Sequence, residues 1–177
     1  VGKSDEEIRT GLKHDIHSFN CESLQELEVI NQLAGEMNKT APVALRLNPN
    51  VSDNTHKYIT TGLEENKFGI NQWELETILE KFKTLENIRL TGLHFHIGSQ
   101  ITKMSVMKSL CSRINELQEW FSSRSIDLEI INVGGGLGID YENPVKNPLF
   151  PEYFSLLNEF IHLLPGQKLH MEPGRSI

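Results

Sequence analysis

Apolar positions along this chain follow two alternating rhythms, one returning every third or fourth residue and one made of short unbroken runs. A helix buries a single stripe and gives the first; a strand covered on both faces gives the second. Ser4-Asp5-Glu6-Glu7 reads as a capping box that opens a helix ending near Lys13. Ile16 to Cys21 reads as a strand, and Ser23-Leu24-Gln25-Glu26 as a second capping box. After it, Leu27, Ile30, Leu33 and Ala34 share one helical face. Val43 to Leu47 is an apolar strand stopped by Asn48-Pro49-Asn50, and Val51 to Asn66 is a polar connection without a period. Asn71 and Glu74 start a helix carrying Leu75, Ile78, Leu79 and Phe82. Leu90 to Ile97 is a strand, and Met107, Leu110, Cys111, Ile114, Leu117 and Phe121 line a longer helix. Leu128 to Val133 is the next strand, and Tyr153, Leu156, Leu157, Phe160, Ile161 and Leu164 mark a helix closed by Pro165-Gly166. Leu169 to Glu172 is the last strand.

This alternation predicts an α/β protein with a parallel sheet, about five strands with helices between them. A closed eight-stranded barrel needs ~250 residues. Five strands in 177 residues are expected to form a partial TIM barrel, roughly its second half cut at both ends, with an open doubly wound sheet as the competing architecture. Val1-Gly2-Lys3 reads as the tail of something already under way.

Composition narrows the class. Apolar residues at 38% and charged residues at 23% describe a globular chain rather than a disordered one. The net charge of −7 argues against nucleic acid or an anionic membrane as partner, since both demand clustered Lys and Arg. Cys21 and Cys111, both in apolar-periodic segments, read as reduced core thiols, which fits the cytoplasm. No apolar stretch approaches the ~20 residues of a membrane span, and no signal peptide opens the chain.

Chemistry gathers at strand ends, where a barrel places its reactive groups. Asn132-Val133-Gly134-Gly135-Gly136-Leu137-Gly138 follows a strand, and its glycines can turn successive N–H groups into an anion nest; the alternative is a flexible turn. Glu172-Pro173-Gly174-Arg175 follows the next strand, with a turn that exposes Arg175 to grip a phosphate and Glu172 facing the barrel mouth, set to hold a protonated ring nitrogen. Phosphate donors at one end and a carboxylate at the other suit pyridoxal 5'-phosphate. Arg46 and Asn48 close an earlier strand. In His94-Phe95-His96 both imidazoles point to one face. His94 reads as a satisfied interior side chain and His96, beside Ser99, as a ligand contact. Half a zinc site is the other reading; it wants further ligands, which His170 can supply and the glycine loop cannot.

Together, His56-Lys57-Tyr58-Ile59-Thr60-Thr61-Gly62, Asn66-Lys67-Phe68-Gly69-Ile70, Leu93-His94-Phe95-His96-Ile97-Gly98-Ser99-Gln100, Val133 to Gly138 and Glu172-Pro173-Gly174-Arg175-Ser176 resemble the diaminopimelate decarboxylase family. The resemblance spans almost the whole chain, from Gly2-Lys3 and Phe19-Asn20-Cys21-Glu22-Ser23 onward. It implies a pyridoxal phosphate-dependent carboxy-lyase of lysine biosynthesis, converting meso-diaminopimelate to L-lysine. It also implies a barrel joined to a β-rich domain, usually in a cytoplasmic homodimer whose partner molecule is a small amino acid. In the same way His96 resembles the catalytic residue stacked on the cofactor ring. Ser99, Gly134, Gly135, Gly136, Pro173, Gly174 and Arg175 resemble its phosphate-side contacts, and Glu172 its pyridinium partner. Arg175 also resembles a substrate-carboxylate ligand, and Arg46 a residue ordering the polar network near the ring. The family's Schiff-base lysine has no match on any strand here, since Lys67 sits in a Lys-Phe-Gly loop that does not carry it, and the substrate-binding residues of the β-rich domain are absent too. The expectation is therefore an incomplete and inactive piece, with an ornithine- or arginine-type decarboxylase of the same fold, or a non-catalytic cofactor-binding remnant, as the alternatives.

Overall fold

The computed structural model describes residues 2–51, 68–143 and 150–177. Helix and strand alternate along them: α1 (Asp5–Lys13), β1 (Phe19–Cys21), α2 (Leu24–Glu36), β2 (Ala41–Arg46), α3 (Leu75–Phe82), β3 (Ile88–His94), α4 (Met104–Ser122), β4 (Ile130–Asn132), α5 (Phe150–Phe160) and β5 (Lys168–His170). The strands form one parallel sheet in the order β1-β2-β3-β4-β5. Each strand pairs with its neighbour in sequence, whereas a doubly wound sheet reverses its strand order. The open-sheet alternative is therefore set aside in favour of a barrel wall, the product of repeated right-handed strand–helix–strand units. The sheet is curled as a barrel wall must be. Asn20 of β1 donates through Nδ2 to Oε1 of Glu172, just beyond β5, at 3.3 Å, and the rings of His17 and His170 lie 5.3 Å apart.

Local chemistry accounts for where elements start and stop. At α1 the box closes both ways: Glu7 N–H donates to Ser4 Oγ at 3.3 Å and Ser4 N–H to the Glu7 carboxylate at 2.8 Å. At α2 only half of the expected box forms. Glu26 N–H reaches Ser23 Oγ at 3.2 Å, but the Glu26 carboxylate is drawn instead to Glu22 N–H and Lys3 Nζ, each at 2.7 Å. Ile16 is not in a strand as expected. Asp15 takes a positive φ of 49° and Ile16 N–H returns to Gly11 O at 3.1 Å, so these residues finish α1 and β1 begins at Phe19. The expected helix through Leu164 ends at Phe160. Asn115 of α4 donates to Phe160 O at 2.8 Å and accepts from His162 N–H at 3.0 Å, which draws the chain out of helical register. Leu163 and Leu164 are left exposed.

One face of the sheet carries the core. Cys21, Leu45, Leu93, Ile131 and Leu169 stand in register across all five strands and pack with Ile30, Leu75, Leu110, Ile114 and Leu157 of the helices. Both cysteines are free and buried, as their setting in apolar segments predicts; burial pushes the Cys111 thiol up to about 11 and the Cys21 thiol further. Among the described residues no helix is long and apolar enough to cross a membrane.

Candidate functional site

The opposite face of the sheet ends in a different row. Arg46, His94, Asn132 and His170 are register partners at the C-terminal ends of β2 to β5, one residue on from the apolar row and so turned to the other side. Arg46, His94 and Asn132 are buried although polar. Arg46 and His94 line a cavity of about 690 Å³ together with Asn20, His96, Ser99 and Glu172, among others. His94 and His96 share this cavity, as strand alternation predicts. Arg46 is fixed by Glu22 at 2.6 Å, with both side chains largely buried, and its guanidinium lies 5.6 Å from the Phe68 ring centre.

His94 is interior but not satisfied, contrary to expectation. It is 5% exposed, and neither ring nitrogen has a hydrogen-bond partner among the described residues. Its Nε2 lies 3.5 Å from Glu172 Oε1, at the outer limit of a hydrogen bond. The same oxygen accepts from Asn132 Nδ2 at 2.8 Å and from Asn20 Nδ2 at 3.3 Å. His94 first, then the Asn132 amide and His96, outweigh burial and hold the Glu172 carboxyl down at about 2. Glu172 is therefore an anion at any physiological pH.

The glycine loop is tighter than an open nest. Gly134 and Gly136 have φ of 70° and 98°, where only glycine sits without strain. A Cβ on Gly134 would fall on the carbonyl oxygen of Phe95, one on Gly135 on that of Glu172, and one on Gly136 on that of Gly98. The glycines thus let the loops after β3, β4 and β5 press backbone to backbone, and the flexible-turn alternative fails. Gly134 N–H is used by Asn132 Oδ1 at 2.9 Å, while the N–H groups of Gly135 and Gly136 have no acceptor among the described residues. Two free donors in a turn beside Ser99 suit a phosphate.

Beyond Glu172 the predicted turn forms. Pro173 leads into a single 3-10 turn, Gly174–Ser176, with Gly174 at φ 55°. Arg175 is exposed as expected, yet Pro173, Gly174 and Arg175 do not line the cavity; the Arg175 guanidinium donates to the Tyr141 hydroxyl. The motif from His56 to Gly62, together with Asn66 and Lys67, lies outside the described residues. The zinc alternative gains no third ligand, since among the described residues no group of three His, Cys, Asp or Glu could hold a metal. Two residues at the centre of this arrangement, Asn20 and Asn132, stood within motifs singled out in the sequence but were given no role of their own. Asn132 carried a signal all the same: it is the residue that ends the strand before the glycines.

A sequence model of the family described as "Pyridoxal-dependent decarboxylase, pyridoxal binding domain" matches residues 1–177. Diaminopimelate decarboxylase of Bacteroides thetaiotaomicron is 50% identical over all of this chain and 46% of its own length. The Haemophilus influenzae enzyme of the same name is 43% identical over all of this chain and 42% of its own length. The crystal structure of diaminopimelate decarboxylase from Helicobacter pylori complexed with L-lysine superposes with a TM-score of 0.85 at 34% identity, covering 99% of this chain and 44% of that one. The chain belongs to the pyridoxal-dependent decarboxylases, and it spans less than half the length of these relatives.

Proposed function

We propose, from that membership, that this chain is part of the pyridoxal-binding barrel domain of a diaminopimelate decarboxylase, which releases carbon dioxide from meso-diaminopimelate and leaves L-lysine. One observation carries the reading: a carboxylate held ionised and a loop whose Gly135 and Gly136 N–H groups have no acceptor among the described residues stand around the same curled sheet. Pyridoxal phosphate, when bound, supplies an electron sink for the pair left behind by the departing carboxyl group. The residues of this chain hold and orient it. Glu172 would keep a proton on the ring nitrogen; with Oε1 taken by the two asparagines, Oε2 is the atom left for that contact. Gly135 and Gly136 N–H and Ser99 Oγ would take the phosphate, with Gly134 fixing the turn and Pro173, Gly174 and Arg175 as further contacts. Arg175 would have to leave Tyr141 to make its contact, or to meet a substrate carboxylate. His96 would be the residue stacked on the ring and the catalytic residue of this chain. The substrate assignment is supported by identities up to 50% with enzymes of that name, and a cytoplasmic homodimer with a further β-rich domain by the family resemblance and the relatives' greater length.

The test is direct. Pyridoxal phosphate is titrated into the purified full-length gene product that contains this chain and followed by absorbance, after which diaminopimelate, ornithine and arginine are offered and carbon dioxide is measured. Saturable binding and turnover of diaminopimelate alone are expected. No cofactor uptake, or turnover of ornithine or arginine in its place, overturns the reading. The 177 residues by themselves are expected to bind weakly and turn nothing over. Among the described residues Lys3 is the lysine at the cavity, and Asn20 O and Glu26 hold it at 2.6 and 2.7 Å.

A further inference from the structure

Asn132 joins the two ends of the site. Its Oδ1 accepts from Gly134 N–H at 2.9 Å, its Nδ2 donates to Glu172 Oε1 at 2.8 Å, and Glu172 N–H returns to Gly134 O at 2.8 Å. These three bonds close a ring through the glycine loop, the asparagine and the carboxylate. A backbone N–H can only donate, so Gly134 fixes which end of the amide is oxygen, and the nitrogen must then face Glu172. Asn132 is buried and ends β4, and its own carbonyl accepts from Phe95 N–H at 2.8 Å. Little freedom remains to it.

We infer that Asn132 is a positioning residue that fixes the carboxylate of Glu172 relative to the glycine loop, and so sets the span between the ring end and the phosphate end of the site. This rests on the pyridoxal phosphate reading above. A ligand gripped at both ends is held well only if the two grips keep their separation. No other residue type does the same task at this position. Asp would set an oxygen against the Glu172 oxygen, and Ser or Thr can still accept from the N–H two residues on but is too short to reach the carboxylate.

That difference supplies the test, made on the protein as its gene encodes it. Asn132→Ser keeps the turn and removes the link, and Asn132→Thr, which suits extended backbone, does the same should the serine variant fail to fold. Two constants are measured: the dissociation constant of pyridoxal phosphate by absorbance, and that of inorganic phosphate by its competition with the cofactor. The variant is expected to weaken pyridoxal phosphate about tenfold, the order for losing one hydrogen bond to a charged group, while phosphate changes less than about twofold. Introduced into Glu172→Ala, which removes the acceptor that Asn132 Nδ2 uses, the same substitution is expected to add almost nothing. Equal weakening of both ligands, unchanged cofactor affinity, or full additivity with Glu172→Ala overturns the inference. Failure of the unaltered protein to take up pyridoxal phosphate is a different result and overturns the underlying reading instead.

Discussion

On the helix side of the sheet, Cys21, Leu45, Leu93, Ile131 and Leu169 run as one apolar row; on the cavity side, one residue further along the last four strands, Arg46, His94, Asn132 and His170 run as a polar one. The two rows share strands, register and, for most members, deep burial, but they are held by different physics. The apolar row is stabilised by packing, which depends on volume and not on direction. The polar row depends on the placing of donors and acceptors, and among the described residues it is incompletely satisfied: the two buried nitrogens of His94 have no hydrogen-bond partner there, a cost to stability that an apolar residue would not carry. Buried polar groups at strand ends beside a cavity depart from the most stable choice for those positions, and such departures are expected at functional sites.

Substitutions that strike one row and spare the other separate these roles. Leu93→Ala empties part of the packed side, where the leucine is fully buried, and is expected to destabilise the fold by about 2–5 kcal/mol in denaturant melts. Cofactor affinity in the molecules still folded is expected to stay within about twofold, since the loss there is of packing and not of any donor or acceptor. A large change in affinity would show that the faces are not separable. Gly135→Ala strikes the loops instead. Its new methyl meets the Glu172 carbonyl, a backbone atom that cannot step aside alone. A cost of about 1–3 kcal/mol is expected in the same melts, together with loss of measurable pyridoxal phosphate binding. Retained binding would mean that the loops need not touch.

The smallest effect concerns acid. The folded Glu172 carboxyl sits at about 2 against an ordinary value of 4.5. A depressed carboxyl contributes stability that is fully present above the ordinary value and is lost as pH falls toward the folded one. Glu172→Gln is therefore expected to lower the melting temperature slightly at pH 7 and to flatten its fall between pH 4.5 and 2. The side chain is half-exposed, so solvent screening keeps the effect small. An unchanged acid limb would show that His94 and Asn132 do not hold the charge.

Much of this was legible in the chain. The capping box at Ser4, the stripe along α4 and the apolar runs at β2 and β3 are local patterns, and local patterns specify local structure. Motifs at strand ends marked Glu172, His96, Ser99 and the glycines. Asn132 was not legible as a partner of Glu172, because the two lie 40 residues apart. Asn20 is further still, 152 residues away from the same carboxylate. The purpose of the glycines was legible only in part. Sequence offers glycine as permission for a positive φ, but the carbonyls of Phe95, Glu172 and Gly98 that exclude a side chain come from three separate segments.

By itself the sequence determined the alternation of helix and strand, the parallel class of the sheet and the candidate residues for a phosphate and a protonated ring, because periodicity, capping and residue chemistry are all local properties. Only the tertiary structure decided which of those residues meet. Register turned Arg46, His94, Asn132 and His170 into one row, and curling brought Asn20 to Glu172 across the cavity. Both depend on how strands far apart in the chain pair and bend, which no stretch of sequence records alone.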